Sequence, residues 1–482
     1  MIANLQPYPA YKDSGVPWLG EVPEHWEVHR VRSLFRVLNG ATPSSNEVAY
    51  WDGDIAWVTP DDLGRLGSAR YIAESARRIT QRGLASCAAS MADPGAIVLS
   101  TRAPVGHLAV LKTAACVNQG CRILVPNAKR PAAEFWHYQL LTARPELQSL
   151  GQGTTFTELS RPKLLNVRLA LPPGDETDAI VRFLDYVDRR VRRYVRAKRR
   201  LIELLEEQKQ AIIQSAVTRG LDPDVPLRPS AVAWLGDIPK HWEVKKLHRV
   251  TDLKRPVMYG IVLPGPHVDE GVFIVKGGNC EPGKLKTELL SRTTFQIESR
   301  YARSRLQRDD IVFAIRGGVG AAESVPAELE GANMTQDAAR IAAGPGINPR
   351  WLLNTVRAPV FQHQVQARTI GATVRGINIR DLKRVSVAVP PSQEQASIAS
   401  HLDASLTREY GVVARAEREI ELITEYRTRL ITDVVTGKLD VREAAAALPN
   451  EPEEEPDDVS DDAELGDELN EELEMVAEEV EA

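Results

Sequence analysis

The chain has 482 residues, 43% of them hydrophobic and 26% charged, the proportions of a globular protein with apolar cores. No run approaches the ~18 apolar residues of a membrane span, and the N-terminus lacks the basic-then-apolar pattern of a secretory signal. Four scattered cysteines (Cys87, Cys116, Cys121, Cys280) exclude a disulfide scaffold and lack zinc-ligand spacing, which predicts reduced thiols in a cytoplasmic protein.

The net charge of −6 conceals a split. Residues 451–482 hold seventeen Asp and Glu and no Lys or Arg, whereas residues 1–450 hold 60 basic against 49 acidic residues, a net of +11. The first composition predicts a disordered acidic tail, drawn here from residue 444. The second permits a polyanionic partner, although a solvated surface with a small excess explains the charge equally well.

In chain order the first signal is WLGEVPEHWEV (18–28), which returns as WLGDIPKHWEV (234–244) with eight of eleven positions identical. The duplication continues: LLNVRLALPPGDETDAIVRFLD (164–185) matches LKRVSVAVPPSQEQASIASHLD (382–403), and AVTRGLD (216–222) matches VVTGKLD (434–440). The chain is therefore two copies of one unit, a pseudo-twofold internal repeat. Each copy has a common opening, a divergent interior, a proline-marked strand end and a long helix. His25 and His241 fall at matching places beside Trp26 and Trp242. Both histidines are expected to pack or cap there, and Trp18, Trp26, Trp234 and Trp242 to anchor the packing.

The interiors read as α/β. GDIAWVTPDDL (53–63), GAIVLST (95–101), EGVFIVKGGN (270–279) and DDIVFAIRGG (309–318) are short apolar runs closed by polar turns, the look of strands. LLNVRLALPP and LKRVSVAVPP alternate and then stop at paired prolines, as a final strand does. After each Pro-Pro pair the period changes. Ile180, Leu184, Val187, Val191, Tyr194, Lys198, Leu201, Leu205, Gln208 and Ile212 follow a heptad spacing that is mostly apolar. Leu402, Leu406, Val413, Ala416, Ile420, Ile423, Leu430 and Val434 form a second stripe. Two such helices in one chain are expected to pair antiparallel as a coiled coil. The basic run DRRVRRYVRAKRR (188–200) then faces AEREIELITE (416–425), and its two readings are a partner for that acidic helix or a contact for DNA phosphates.

Catalytic signatures are missing. GNCEPGKL (278–285) resembles a phosphate-binding loop, but Leu285 stands where the Mg²⁺-holding Ser or Thr must be. No N-P-P-aromatic or D-P-P-aromatic loop exists for amino methylation. The Glu-x-Lys pairs Glu243/Lys245 and Glu207/Lys209 lack a second acid for metal-dependent cleavage. No metal site and no catalytic residue is expected, and the pattern predicts a binding scaffold.

YKDSGVPWLGEVPEHWEV (11–28) and its second copy resemble the specificity subunit of type I restriction–modification enzymes. So do GATPSSNEVAYWDGDIAWVTPDDL (40–63), both Pro-Pro-to-helix junctions and LITDVVTGKLDVR (430–442). The resemblance covers residues 8–443. It implies two homologous α/β (α+β) target-recognition domains, 1–174 and 221–391, separated by coiled-coil helices at 175–220 and 392–443. Each domain would read one half of a bipartite, asymmetric site in double-stranded DNA. The helices would set the spacing and dock two DNA methyltransferase subunits, with restriction/translocase subunits beyond. S-adenosylmethionine, ATP and Mg²⁺ would serve those partners, and this chain would bind no cofactor and catalyse nothing. A stand-alone sequence-specific DNA methyltransferase or nuclease is the alternative.

Base readout needs fixed donors and acceptors on loops. The candidates in the first domain are Thr42, Ser44, Ser45, Asn46, Trp51, Thr59, Asp61, Arg65, Arg102, Thr154 and Thr155. In the second they are Lys254, Arg255, Tyr259, Lys276, Asn279, Arg316, Thr373 and Arg375. Arg102 and Arg316 stand at corresponding places before Gly-containing turns.

Overall fold

Each copy of the repeat closes through its first and last long strands. Glu27–Arg30 pairs antiparallel with Arg168–Leu171, and Glu243–Lys246 pairs in the same way with Ser386–Val389. That pairing joins the repeated opening to the repeated Pro-Pro strand end, so the two best-preserved stretches are one structural element. The computed structural model describes residues 5–67, 69–127, 131–151, 158–369 and 375–449. These form two units, one from Met1–Lys198 with Arg418–Ala482, the other from Arg199–Glu417. Thr154, Thr155, Thr373 and residues 450–482 lie outside the described residues.

The first unit holds a five-stranded sheet in the order Phe35–Asn39, Cys121–Pro126, Ile97–Ser100, Leu108–Leu111, Tyr71–Ile72. Beside it is a three-stranded sheet of Ala115–Val117, Trp51–Val58 and Arg78–Ile79. The second unit repeats this plan: Met258–Tyr259, Ala338–Ile341, Ile311–Ala314 and Ala322–Ser324 form one sheet, and Ser291–Thr293, Val272–Val275 and Asn333–Met334 the other. Ile97–Ser100 and Ile311–Ala314 are central strands with every residue buried. They are the unbroken apolar runs of the sequence, buried on both faces.

The long helices are Gly174–Arg219, hereafter the central helix, and Ser392–Val435, the C-terminal helix. They pair antiparallel inside each unit. In the first, Arg427 meets Asp188, Tyr194 donates to Glu419 at 2.8 Å, and Lys198 lies 3.4 Å from the same carboxylate. In the second, the buried Lys209 sits 4.0 Å over the Tyr410 ring. Ile180, Leu184, Val187, Val191, Leu201, Leu205, Leu402, Leu406, Val413 and Leu430 are buried, while Ile212, Ile420 and Ile423 are half-buried. A buried Leu or Ile contributes about 1.5–3 kcal/mol, and a surface ion pair about 0–1 kcal/mol, so the apolar seam carries the pairing.

The seam drifts from a strict heptad. Tyr194 is exposed and Val195 packs inward; Gln208 is exposed and Lys209 is buried; Ile213 is buried more deeply than Ile212. A helix of 3.6 residues per turn falls behind a 3.5 repeat by about 20° per heptad, which moves the buried position one residue onward after two or three heptads.

The short helix Arg442–Ala447 crosses the boundary at 443 expected from composition, and its Ala445 is buried in the first unit's core. Gln6 bridges to Asp440 nearby. No helix among the described residues is long and apolar enough to cross a membrane.

Helix Ala133–Thr142 buries His137, and burial with the cations of Arg70, Arg427, Arg192 and Arg144 lowers its pKa from 6.5 to about 3. Below pH 6.5 the unfolded chain takes up a proton that the folded chain refuses. Stability therefore falls as pH drops from about 6.5 towards 3, by up to about 1.4 kcal/mol per pH unit from this group. Urea titrations of the parent and His137→Gln across that range should show a shallower acid slope in the variant.

Candidate nucleic-acid interface

The central strand of each unit ends on an arginine. In the first unit Ile97–Ser100 leads through Thr101, buried and bonded to the Gly120 carbonyl at 3.2 Å, to the exposed Arg102. Arg102 pairs with Glu158 at 3.1 Å. Arg122 on the neighbouring strand donates to the carbonyls of Gln119 (3.2 Å) and Cys121 (3.0 Å). Burial, then the nearby cations of Arg102 and Arg161, lower its pKa, against the opposing pull of Glu158. Gln119 also accepts from Thr42. Thr42, Gln119, Arg122, Arg102 and Arg161 thus form one polar, positively charged edge with Glu158 as a carboxylate within it. Arg122, Gln119 and Arg161 were missed in the sequence, although Arg122 follows a run, CVNQGC, that already aligns between the copies.

In the second unit Ile311–Ala314 leads to Arg316, which is exposed and bridges through its backbone to Gly376, next to the exposed Arg375. Among the described residues the Arg316 guanidinium has no bonded partner. The turn holding Lys276 and Asn279 packs against it, since a Cβ on Gly277 would lie 3.0 Å from the Arg316 carbonyl. Lys276 is exposed, and the Asn279 carbonyl oxygen accepts its N–H at 3.0 Å. Lys276, Asn279, Arg316 and Arg375 are therefore brought together.

The turns carrying Thr42 and Tyr259 are pinned alike. A Cβ on Gly40 or on Gly260 would lie 1.9 Å from a backbone oxygen, that of Asn118 or Met334. Tyr259 is left 47% exposed beside its sheet.

Other candidates are occupied elsewhere. Trp51 is buried, with its indole bonded to the Ser44 carbonyl, its ring 5.2 Å from Trp57, and the Arg77 guanidinium 3.6 Å from its centroid. It builds a small core and offers no face to a base. Thr59 caps helix Pro60–Arg65 through Asp62. Asp61 and Arg65 pair with each other on the surface. Arg255 makes a two-pronged contact with the buried Asp310, a strut within the domain. Ser44, Ser45, Asn46 and Lys254 are exposed. Arg340 stands where Arg122 does in the first copy, yet it is buried and donates to the carbonyls of Arg303 and Arg305, both at 2.9 Å. One repeat position is half-buried at the sheet edge in one half and core in the other.

The matching histidines serve structure. Glu176, the third residue of the central helix, accepts from the Trp26 indole at 2.8 Å and from Tyr8, and contacts His25 at 2.8 Å. Glu394 of the C-terminal helix receives Trp242 at 3.1 Å and His241 at 2.8 Å. Trp26 and Trp242 are buried, Trp18 is half-buried, and Trp234 is 51% exposed beside His363, so three of the four tryptophans expected as anchors are packed. Among the described residues no group of three or more His, Cys, Asp or Glu is placed to hold a metal ion.

Fold and site together define a class: a duplicated α/β protein with paired long helices and an exposed arginine at the end of a buried central strand in each half. Residues 23–203 match the type I restriction modification DNA specificity domain. The chain is similar to specificity subunits of type I restriction enzymes. It is 30% identical over 235 residues to the MjaIX specificity subunit of Methanocaldococcus jannaschii, covering 48% of this chain and 52% of that protein. It is 25% identical over 288 residues to the EcoBI specificity subunit of Escherichia coli, covering 59% and 60%. The match spans about half the length of the first of these relatives. The MjaVIII specificity subunit of Methanocaldococcus jannaschii aligns over 87% of this chain and 94% of its own length at 22% identity. A solved chain from work on complex assembly in a type I R-M system shares the fold, with a TM-score of 0.65 at 16% identity over 87% of this chain and 99% of that one.

Proposed function

We propose that the chain is the DNA-sequence-specificity subunit of a type I restriction–modification complex. Each unit reads one half of a split, asymmetric site in double-stranded DNA, and the paired helices dock two methyltransferase subunits. The observation that carries this reading is the repeated site: in both halves a buried central strand delivers an exposed arginine (Arg102, Arg316) beside polar turns. Guanidinium groups on a rigid strand end suit bidentate contact with guanine or phosphate. Divergent interiors on one framework let the halves read different sequences, and a pseudo-twofold chain presents two like docking surfaces.

The chain supplies no chemistry of its own. S-adenosylmethionine is used by the methyltransferase subunits, and ATP and Mg²⁺ by the restriction/translocase subunits. The test is methyl transfer to DNA by the purified chain with S-adenosylmethionine. No transfer is expected until a methyltransferase subunit is added. Transfer by the chain alone would establish the stand-alone enzyme instead.

A further inference from the structure

We propose that the acidic segment 450–482 of this chain seats on an arginine stripe of the central helix and screens it from nucleic acid. Arg182, Arg189, Arg193 and Arg196 are all exposed, and their spacing places them on one helix face. At 100° per residue this face lies about 180° around the helix from the buried Ile180–Leu184–Val187–Val191 seam. Arg190 flanks it, donating to the Tyr186 hydroxyl at 3.2 Å. Asp178 lies at one end of the face and Asp185 is held by Arg70 at 3.2 Å; Asp178, Arg182 and Arg189 each have a further contact of their own. Like charges one turn apart repel, so the stripe favours a polyanion.

The polyanion is tethered at the stripe's own end. Arg182 donates to the Leu448 carbonyl at 2.8 Å, two residues before the segment begins. From there 33 residues extend, with seventeen carboxylates and no Lys or Arg. Arg182 to Arg196 spans about 21 Å of helix, and a 33-residue chain reaches up to about 110 Å. Covalent attachment holds those carboxylates at an effective concentration that loose, non-cognate DNA does not match, and salt weakens both contacts. The segment therefore lowers non-specific DNA binding.

The experiment uses the full chain with Cys87→Ser and Ala463→Cys, carrying one fluorophore at position 463. Anisotropy should be high at 50 mM salt, fall at 500 mM, and fall equally at 50 mM when Arg189, Arg193 and Arg196 become Gln. In parallel, ending the chain at Pro449 should raise affinity for an unrelated duplex about tenfold at low salt, and should have little effect in the triple-Gln background. Low anisotropy in every variant, or high anisotropy that survives the Gln substitutions, overturns the proposal. So does a truncation effect of equal size with and without the arginines, which would mean the segment acts elsewhere or through net charge alone.

Discussion

Arg102→Ala and Arg316→Ala are each expected to weaken binding to the cognate split site by about 10- to 100-fold, the 1–3 kcal/mol of a bidentate base contact. Each should relax selectivity in its own half-site and leave the other half as stringent as before. The reason is placement. Both arginines leave buried central strands, so little backbone freedom remains to be lost on binding. Arg102 exchanges its exposed pairing with Glu158 for a DNA acceptor, while among the described residues the Arg316 guanidinium has no partner to exchange. Competition binding with half-site variants at one fixed salt concentration measures this. A uniform loss across all sequences, with a salt slope reduced by about one, would make the arginine a phosphate contact. No loss for either variant would remove these strand ends from the interface.

Glu176→Ala should cost about 3 kcal/mol of folding stability, and the matching Glu394→Ala about 1 kcal/mol. Glu176 is almost fully buried and serves Tyr8, His25 and Trp26, and removing it leaves a buried hydroxyl and indole N–H without an acceptor. Burial and the bond to Glu176 already raise the Tyr8 pKa, so the hydroxyl stays a donor. The Glu394 side chain is 29% exposed and serves two groups, which water can reach in its place. Chemical denaturation of the two variants gives the comparison. Equal losses would mean that the shared packing around the tryptophans, rather than burial of the carboxylate, sets the cost.

The frame of this molecule was readable because it was written twice. The WLG…HWEV opening and the Pro-Pro strand end are the paired strands that close each unit. The heptads marked both long helices, and only their drift by one residue near Tyr194 and Gln208 escaped, since a strict repeat ignores the 3.6-residue turn. The Glu176 and Glu394 acceptors were also legible in principle, because both stand at the same place after the Pro-Pro pair. The interface was less readable. Trp51 looks like a loop aromatic until Trp57 and Arg77 close over it, and Arg255 looks like a free cation until Asp310 takes it. How deeply an arginine is buried depends on contacts distant in sequence, as the half-buried Arg122 and the fully buried Arg340 show at one repeat position.

The central claim is that this chain sets the sequence at which DNA is methylated. Its most direct test is single-molecule sequencing of genomic DNA, scored for N6-methyladenine, with this gene present, deleted, and restored with the 221–391 domain exchanged for that of a homologue. The account predicts that deletion erases one split motif and that the exchange rewrites one half of it while the other half stays. Restored methylation of the original motif by the exchanged chain, or a motif that survives deletion while the partner methyltransferase is active, would contradict it.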